Sequence, residues 1–453
     1  MKTNLICLLL LLPWMAKSQS AALQELIQTA LANNLALQEK KLEASAAEQS
    51  LQHTRKLFLP GLDFASSYVH SEGGRNAILP LGDLMNPVYS TLNQLTQSQS
   101  FPTLENQRIN FLPQNYYDLH LRLSAPILSY GLIQNQKIEQ AKTEIARYDW
   151  LSYQRDVIRT VKEAYYQYRM ASEAVKIYDN ALVVLQKAVQ VNESLLRNGS
   201  GLQAQVLRSR SEVLNLESKR EETLQQQRQA ARYLNFLLNR DLESPIAQSA
   251  TNEAELRAML QSLNPEPQFA LREELLQLEQ VTLASREAEK LQRNYWVPKL
   301  NGFADIGSQS DNLQFNREAR YFMVGATLDM SLFAFGRNQT QMKKAKIQTQ
   351  IRETQYQQAK QAFSMEEKTH RDAVNTQLAR LNSAKQQHEA AKAYFNVVDK
   401  AYREGIYSQI EWLDAQNQAT QAELNIAIQL HQTAIALAQL ERSQASSKTL
   451  PIK

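Results

Sequence analysis

Two periods organise this chain. Apolar or small residues at Val161, Ala164, Tyr168, Ala171, Val175, Tyr178, Leu182, Leu185 and Val189 advance in alternating steps of three and four without a break. That spacing keeps one stripe in line along a helix and marks a coiled-coil seam. It predicts helix over residues 132–198, which as one piece would be about 100 Å long. No boundary is visible inside it, and a helix of that length cannot fold back into an ordinary globular core. Residues 337–404 form a second such stretch, with Ala391, Tyr394, Val398 and Ala401 on one seam. Return helices are predicted over 202–238 and 409–444. The second period is two. Tyr117, Leu119, Leu121, Leu123 and Ala125 alternate with Asp118, His120, Arg122 and Ser124. Phe322, Val324, Ala326, Leu328, Met330 and Leu332 alternate with Met323, Gly325, Thr327, Asp329 and Ser331. Each predicts a two-sided strand of about ten residues, the length of a membrane β-strand. Residues 62–70 and 300–308 are weaker partners. A half-buried strand of a soluble sheet alternates in the same way, but strand length and aromatic ends (Tyr116, Tyr117, Tyr321, Phe333, Phe335) favour a membrane.

Landmarks recur at fixed offsets, which signals an internal duplication. Gly131 and Gly336 close apolar runs, and Gly199 and Gly405 follow the long helices. The first pair is 205 residues apart and the second 206. Pro60 and Pro298, each before a strand, are 238 apart. The first half therefore carries extra residues between its proline and its first glycine. They fall in 71–115, rich in Gly, Pro, Asn and Ser, which reads as a long loop. The expected organisation is a first repeat over 19–240 with strands near 60–70 and 116–128 and helices over 131–238. A joint follows over 241–267, containing Pro245, Pro265 and Pro267. The second repeat spans 268–453, with strands near 298–310 and 320–335 and helices over 337–445.

Composition narrows the class. Hydrophobic residues make up 43% of the 453, and mean hydropathy is −0.46. That is too polar for a bundle of membrane helices but compatible with a β-barrel. Only 12 Gly and 12 Pro interrupt the chain, a bias toward long regular helices. The net charge of +4 comes without a basic cluster, so nucleic acid is an unsupported partner. At the start, Lys2 precedes an apolar run over 5–12, and Ala16 and Ser18 stand three and one residues before Gln19. This is the layout of a secretory signal peptide over 1–18. Cys7, the single cysteine, lies inside it, so the exported chain is expected to hold no thiol, disulfide or Cys-based metal site. The histidines (53, 70, 120, 370, 388 and 431) are scattered, and no catalytic, phosphate-binding or dinucleotide motif is present. No enzyme activity, cofactor or metal is expected.

Four strands cannot close a barrel around a pore, and an open edge in lipid leaves backbone groups unsatisfied. If the strands span a membrane, several subunits must share one barrel.

With these features in place, the chain resembles the TolC-like outer membrane efflux proteins over essentially its whole exported length. Two repeats of helix, proline-marked hairpin, glycine-marked long helix and glycine turn carry the resemblance. Its closest local part is Ala401-Tyr402-Arg403-Glu404-Gly405, followed by Ile410-Glu411-Trp412-Leu413-Asp414-Ala415-Gln416. The resemblance implies a mainly α fold with a membrane β-hairpin pair, a TolC-like helical barrel and a twelve-stranded barrel shared by a homotrimer. It implies an outer-membrane location in a Gram-negative cell, with helices extending into the periplasm. The expected partners are outer-membrane lipid, a periplasmic adaptor (membrane fusion) protein and an inner-membrane RND or ABC transporter, with the channel a passive exit duct.

The resemblance also assigns residues. Gly199, Ser200, Gly201, Gly405 and Ile406 would form the periplasmic tips that dock the adaptor; the residues alone require only that Gly tolerate a helix reversal. Glu411 and Asp414, three apart on one helix face, match acids that ring the periplasmic entrance, although a solvated helix face carries such acids too. Tyr402 matches a tyrosine that helps hold the entrance shut. Gln205 and Tyr407 stand where some members have an aspartate and an arginine, so that salt bridge cannot form here. A closed entrance would rest on neutral hydrogen bonds and aromatic packing instead. Two other functions fit parts of the pattern. One is the outer-membrane component of a type I protein secretion system. The other is a soluble periplasmic coiled-coil scaffold, which leaves the ten-residue strands unexplained.

Overall fold

Long seams need a partner seam to bury them, and that requirement sets the architecture of the computed structural model, which describes residues 21–111, 114–247, 253–263 and 272–445. The expected signal peptide over 1–18 and Pro265 and Pro267 of the expected joint lie outside the described residues. The elements in chain order are α1 (Ala21–Asn33), α2 (Leu35–Lys56), β1 (Gly61–His70), β2 (Asn76–Leu79), α3 (Leu81–Thr96), β3 (Gln107–Asn110), β4 (Asn115–Leu128), α4 (Tyr130–Arg197), α5 (Gln203–Leu237), α6 (Glu253–Ser262), α7 (Glu273–Arg293), β5 (Lys299–Ser310), β6 (Arg320–Asp329), α8 (Arg337–Arg403) and α9 (Gln409–Ser443). They divide into a helical unit (Met1–Gln49, Gln140–Ser285, Ile347–Lys453) and a sheet unit (Ser50–Glu139, Arg286–Lys346).

In the helical unit the α4 seam is buried as its spacing requires. Val161, Ala164, Tyr168, Ala171, Val175, Leu182 and Leu185 all lie in the interior. Around Val161 and Tyr165, side chains of α1 (Leu23, Ala30), α5 (Leu234), α8 (Val374, Leu381) and α9 (Ala434, Leu437) form one core. The expected joint is more than a connector, because α6 inserts Leu256 and Met259 into that core. The α8 seam also differs at two positions from its expectation. Tyr394 is 42% exposed, while Phe395 and Tyr402 pack beside Val398. Both 391-394-398-401 and 391-395-398-402 satisfy a three-four spacing. The partner decides between them: the Trp412 ring of α9 packs at a tilt against Phe395 and Tyr402.

Charged groups buried in this unit are matched. Arg442 pairs with Asp156 (3.0 Å) and Glu274 (2.6 Å), and Arg272 with Glu274 and Glu366 (both 2.9 Å). Lys162 meets Glu441 at 2.5 Å. Burial alone would raise the Glu274 carboxyl, but the Arg272 and Arg442 guanidiniums outweigh it and hold the group at about 2.

In the sheet unit four antiparallel strands run in the order β1-β4-β5-β6, so the two hairpins meet at β4–β5. β6 stops at Asp329, opposite Lys299, the first residue of β5. The alternation continues to Leu332, but without a partner strand it cannot be a ladder. The segment 71–115, expected as a loop, is built instead. β2 and β3 pair (Asn76↔Asn110), and α3 lies between them in the chain. Asn86 and Asn93 fasten α3 by exchanging two hydrogen bonds each with the backbone of Leu104 and Phe101.

Candidate functional site

Each long helix ends the same way. At the end of α4, Ser200 N donates to Leu195 O and Gly199 N to Leu196 O (both 3.0 Å). At the end of α8, Ile406 N donates to Ala401 O (2.9 Å) and Gly405 N to Tyr402 O (3.1 Å). This is the Schellman pattern, which requires a left-handed residue at its turn. Gly199 and Gly405 supply it with φ of +74° and +77°. Gly201 is needed for space, since a Cβ there would stand 2.8 Å from Leu196 N.

The return helices start on matched caps. Glu411 Oε2 accepts from the amide (2.7 Å) and hydroxyl (2.8 Å) of Ser408, and Ser408 Oγ accepts from Glu411 N, a full capping box. Gln205 Oε1 accepts from Leu202 N at 3.0 Å, half of the same box, because leucine offers no side-chain acceptor. Gln205 and Glu411 are thus equivalent positions of the two repeats. The Ser408 amide and hydroxyl hold the Glu411 carboxyl below its ordinary range. Asp414 is exposed on the same helix face, while Trp412, Leu413 and Ala415 face inward. Its carboxylate accepts from Gln418 at 2.7 Å.

Near these turns, neutral polar groups tie α4, α5, α8 and α9 together. Asn192 Nδ2 donates to Ser209 Oγ (2.8 Å). Gln409 Nε2 donates to Ser209 Oγ (2.6 Å) and Gln205 O (2.9 Å). Tyr402 OH reaches Asn192 Oδ1 at 3.5 Å, and burial pushes its phenol up. Trp412 donates to Asp399 at 2.9 Å beneath the Tyr402 ring. Asn192, Ser209 and Gln409 are buried. Of the residues singled out from sequence, Tyr402 and the backbone of Gln205 belong to this knot. Glu411 serves the cap, Asp414 faces solvent, and Tyr407 is partly exposed with its amide on Ala401 O. Asn192, Ser209, Gln409 and Trp412 were not anticipated. Asn192 had a signal: it occupies the next seam position after Val189, where a polar residue breaks an apolar stripe.

The sheet has two chemically distinct faces. Register places Leu62 and Phe64 of β1, Leu121 and Leu123 of β4, Ala304 and Ile306 of β5, and Phe322 and Val324 of β6 on one side. Leu62, Phe64, Phe322 and Val324 are each at least 66% exposed. The opposite side is polar. Arg122 forms a two-pronged pair with the buried Asp305 directly across β4–β5 (2.7 and 2.8 Å), and Tyr321 donates to Asp118 (3.1 Å). Tyr68 and Tyr117 stack at one end of the apolar face, with ring centroids 4.7 Å apart. Phe333 and Phe335 meet edge to face beyond the other end, again with centroids 4.7 Å apart. The outer edges of β1 and β6 have no strand beside them among the described residues. No helix among the described residues is long and apolar enough to cross a membrane, and none of their His, Cys, Asp and Glu side chains group as a metal site.

Comparison with known proteins agrees with this architecture. The family described as Outer membrane efflux protein matches residues 26–240 and 269–445. The chain belongs to that family, with its TolC-like channel fold. Among solved structures, it is similar to the outer-membrane channel OprN (TM-score 0.76, 19% identity, 95% of this chain and 91% of that one). It is also similar to CusC (0.77, 17%, 93% and 92%), described in terms of transmembrane channel formation, and to the outer membrane protein VceC of Vibrio cholerae (0.73, 16%, 95% and 98%). No curated protein matches the sequence.

Proposed function

We propose that the chain, exported and freed of residues 1–18, is one third of a passive outer-membrane exit duct. The observation that carries this reading is the four-stranded sheet with one continuous apolar face and two open edges. A face of that character needs lipid, and an edge in lipid needs a strand. Three copies pairing β6 of each with β1 of the next give a closed barrel of twelve strands, the number the family resemblance implies. The Asp118–His120–Arg122–Asp305 side lines its lumen. The segment 71–115 is on the outside of the cell, and the helical hairpins are in the periplasm. The turns at Gly199–Ser200–Gly201 and Gly405–Ile406 dock a periplasmic adaptor, which links the duct to an inner-membrane pump of the RND or ABC type. Glu411 and Asp414, three copies of each, ring the entrance and favour cations. Tyr402, Asn192, Ser209 and Gln409 hold it shut through neutral bonds in place of a salt bridge at Gln205 and Tyr407.

In vivo photocross-linking from Ser200 and Ile406 tests the docking. Capture of an exported adaptor at both positions supports it; capture at neither position, from a protein folded in the membrane fraction, refutes it. Fractionation tests the location, because recovery in the soluble periplasm without detergent contradicts the duct.

A further inference from the structure

The helical end of the sheet is far more basic than the rest of the chain. Four segments leave or enter the strands there: 50–60, 129–139, 286–298 and 330–346. Together they hold ten Lys and Arg against three Asp and Glu, a net charge of +7. The segments at the opposite end, 71–114 and 311–319, hold three against five, a net charge of −2. The whole chain is only +4, so the excess is concentrated at one end of the sheet.

The same segments carry apolar side chains that are exposed among the described residues. After β6 the chain exposes Leu332, Phe333 and Phe335, the last at 91%, and Trp296 is exposed just before β5. α8 then begins with Arg337, Lys343, Lys344 and Lys346, all exposed and in no ion pair among the described residues. Helical side chains lean toward the N-terminus of their helix. The three lysines, about 9 to 14 Å along α8 from Arg337, therefore reach back toward the aromatic group. Aromatic rings at the hydrocarbon boundary, backed within one headgroup depth by unpaired cations, are complementary to a lipid with acyl chains and a net negative head.

We propose that this end of the barrel is an annular binding site for anionic phospholipid, with Trp296, Phe333 and Phe335 at the acyl boundary and Arg337, Lys343, Lys344 and Lys346 on the headgroup phosphates. The proposal rests on the membrane reading of the sheet. It makes the helix-side leaflet a selective lipid partner of the channel and fixes how deep the barrel sits.

Quenching of Trp296 by brominated lipids separates the two claims. The full exported protein is reconstituted, and the signal lost in Trp296→Phe is attributed to this position. Quenching by brominated phosphatidylcholine reports that the sheet is embedded, and its absence sinks the membrane reading. Preference for brominated phosphatidylglycerol over phosphatidylcholine, at least tenfold and weakened by salt, is the result expected here. Lys343→Gln with Lys344→Gln and Lys346→Gln should remove most of that preference, while the Lys→Arg set keeps it. Equal quenching by both lipids, or an unchanged preference in the Gln variant, overturns the site. Displacement by lipopolysaccharide as effective as by phosphatidylglycerol overturns the assignment to phospholipid.

Discussion

Ser209→Ala tests the knot that ties the helical turns. Ser209 Oγ is the one side-chain acceptor for Asn192 Nδ2 among the described residues, and it also accepts from Gln409 Nε2. Both donors are buried. Gln409 keeps the Gln205 carbonyl after the substitution, whereas the Asn192 amide is left without that partner. A buried donor stripped of its acceptor costs about 1–3 kcal/mol. Taking about 2 kcal/mol, the ratio of open to closed entrances rises about thirtyfold. Single-channel recording of the reconstituted protein should show basal leak rising accordingly. The triple change Asn192→Leu, Ser209→Ala and Gln409→Leu removes donors and acceptor together and should return the leak most of the way, because replacing both partners by apolar groups is nearly neutral. An unchanged leak in Ser209→Ala, or a triple variant leakier than the single, refutes the reasoning. The side chain of Gln205 is a weaker lever than its position suggests: the backbone carbonyl of Gln205 joins the knot, whereas its side chain caps α5.

Other consequences are equally direct. The Glu274 carboxyl lies near 2 in the folded chain against an ordinary 4.5, so its stabilisation, about 3 kcal/mol, is full at neutral pH and fades as pH falls from 4.5 through 2. Resistance of Glu274→Gln to urea should be weaker at pH 7 and should fall less than that of the wild type across that window, and a wild-type slope in the variant would contradict the pairing with Arg272 and Arg442. Gly405→Ala forces a Cβ into the left-handed region at about 1–2 kcal/mol, so hydrogen exchange at Tyr402–Ile406 should quicken, less so in Gly405→Asn; equal protection in all three would count against the Schellman turn. Val324→Arg on the apolar face should cut the yield of folded membrane protein, at about 2–4 kcal/mol, while Thr327→Arg on the opposite face is tolerated. Equal yields on a semi-native gel would remove the distinction between the faces.

Local period decided what could be read from the chain and what could not. The strands were legible because pairing preserves their alternation: Leu121 and Val324 fall on one face in the sequence and in the register. The α4 seam was legible for the same reason, but its reading stopped at Val189, and Asn192, the next seam position, went unread. α3 was not, since Pro87 and its Asn and Ser residues read as loop, and the bonds that hold it come from Leu104 and Phe101, outside the helix. α6 was missed because its apolar residues matter only against the distant core formed by α1, α4 and α9. At the turns, the equivalence of Gln205 and Glu411 follows from the repeat offset, but only the hydrogen bonds reveal that both cap a helix.

Strand pairing between copies is the most direct test of the duct. The single cysteine lies in the expected leader, so engineered thiols stand alone. Cysteines stepped along β1 from Leu62→Cys to Tyr68→Cys, each combined with Val324→Cys on β6, are oxidised in isolated membranes. A closed trimer predicts that one register gives a covalent species of three chains and nothing larger. Disulfides absent at every register, or an open-ended ladder of four or more chains, would contradict it.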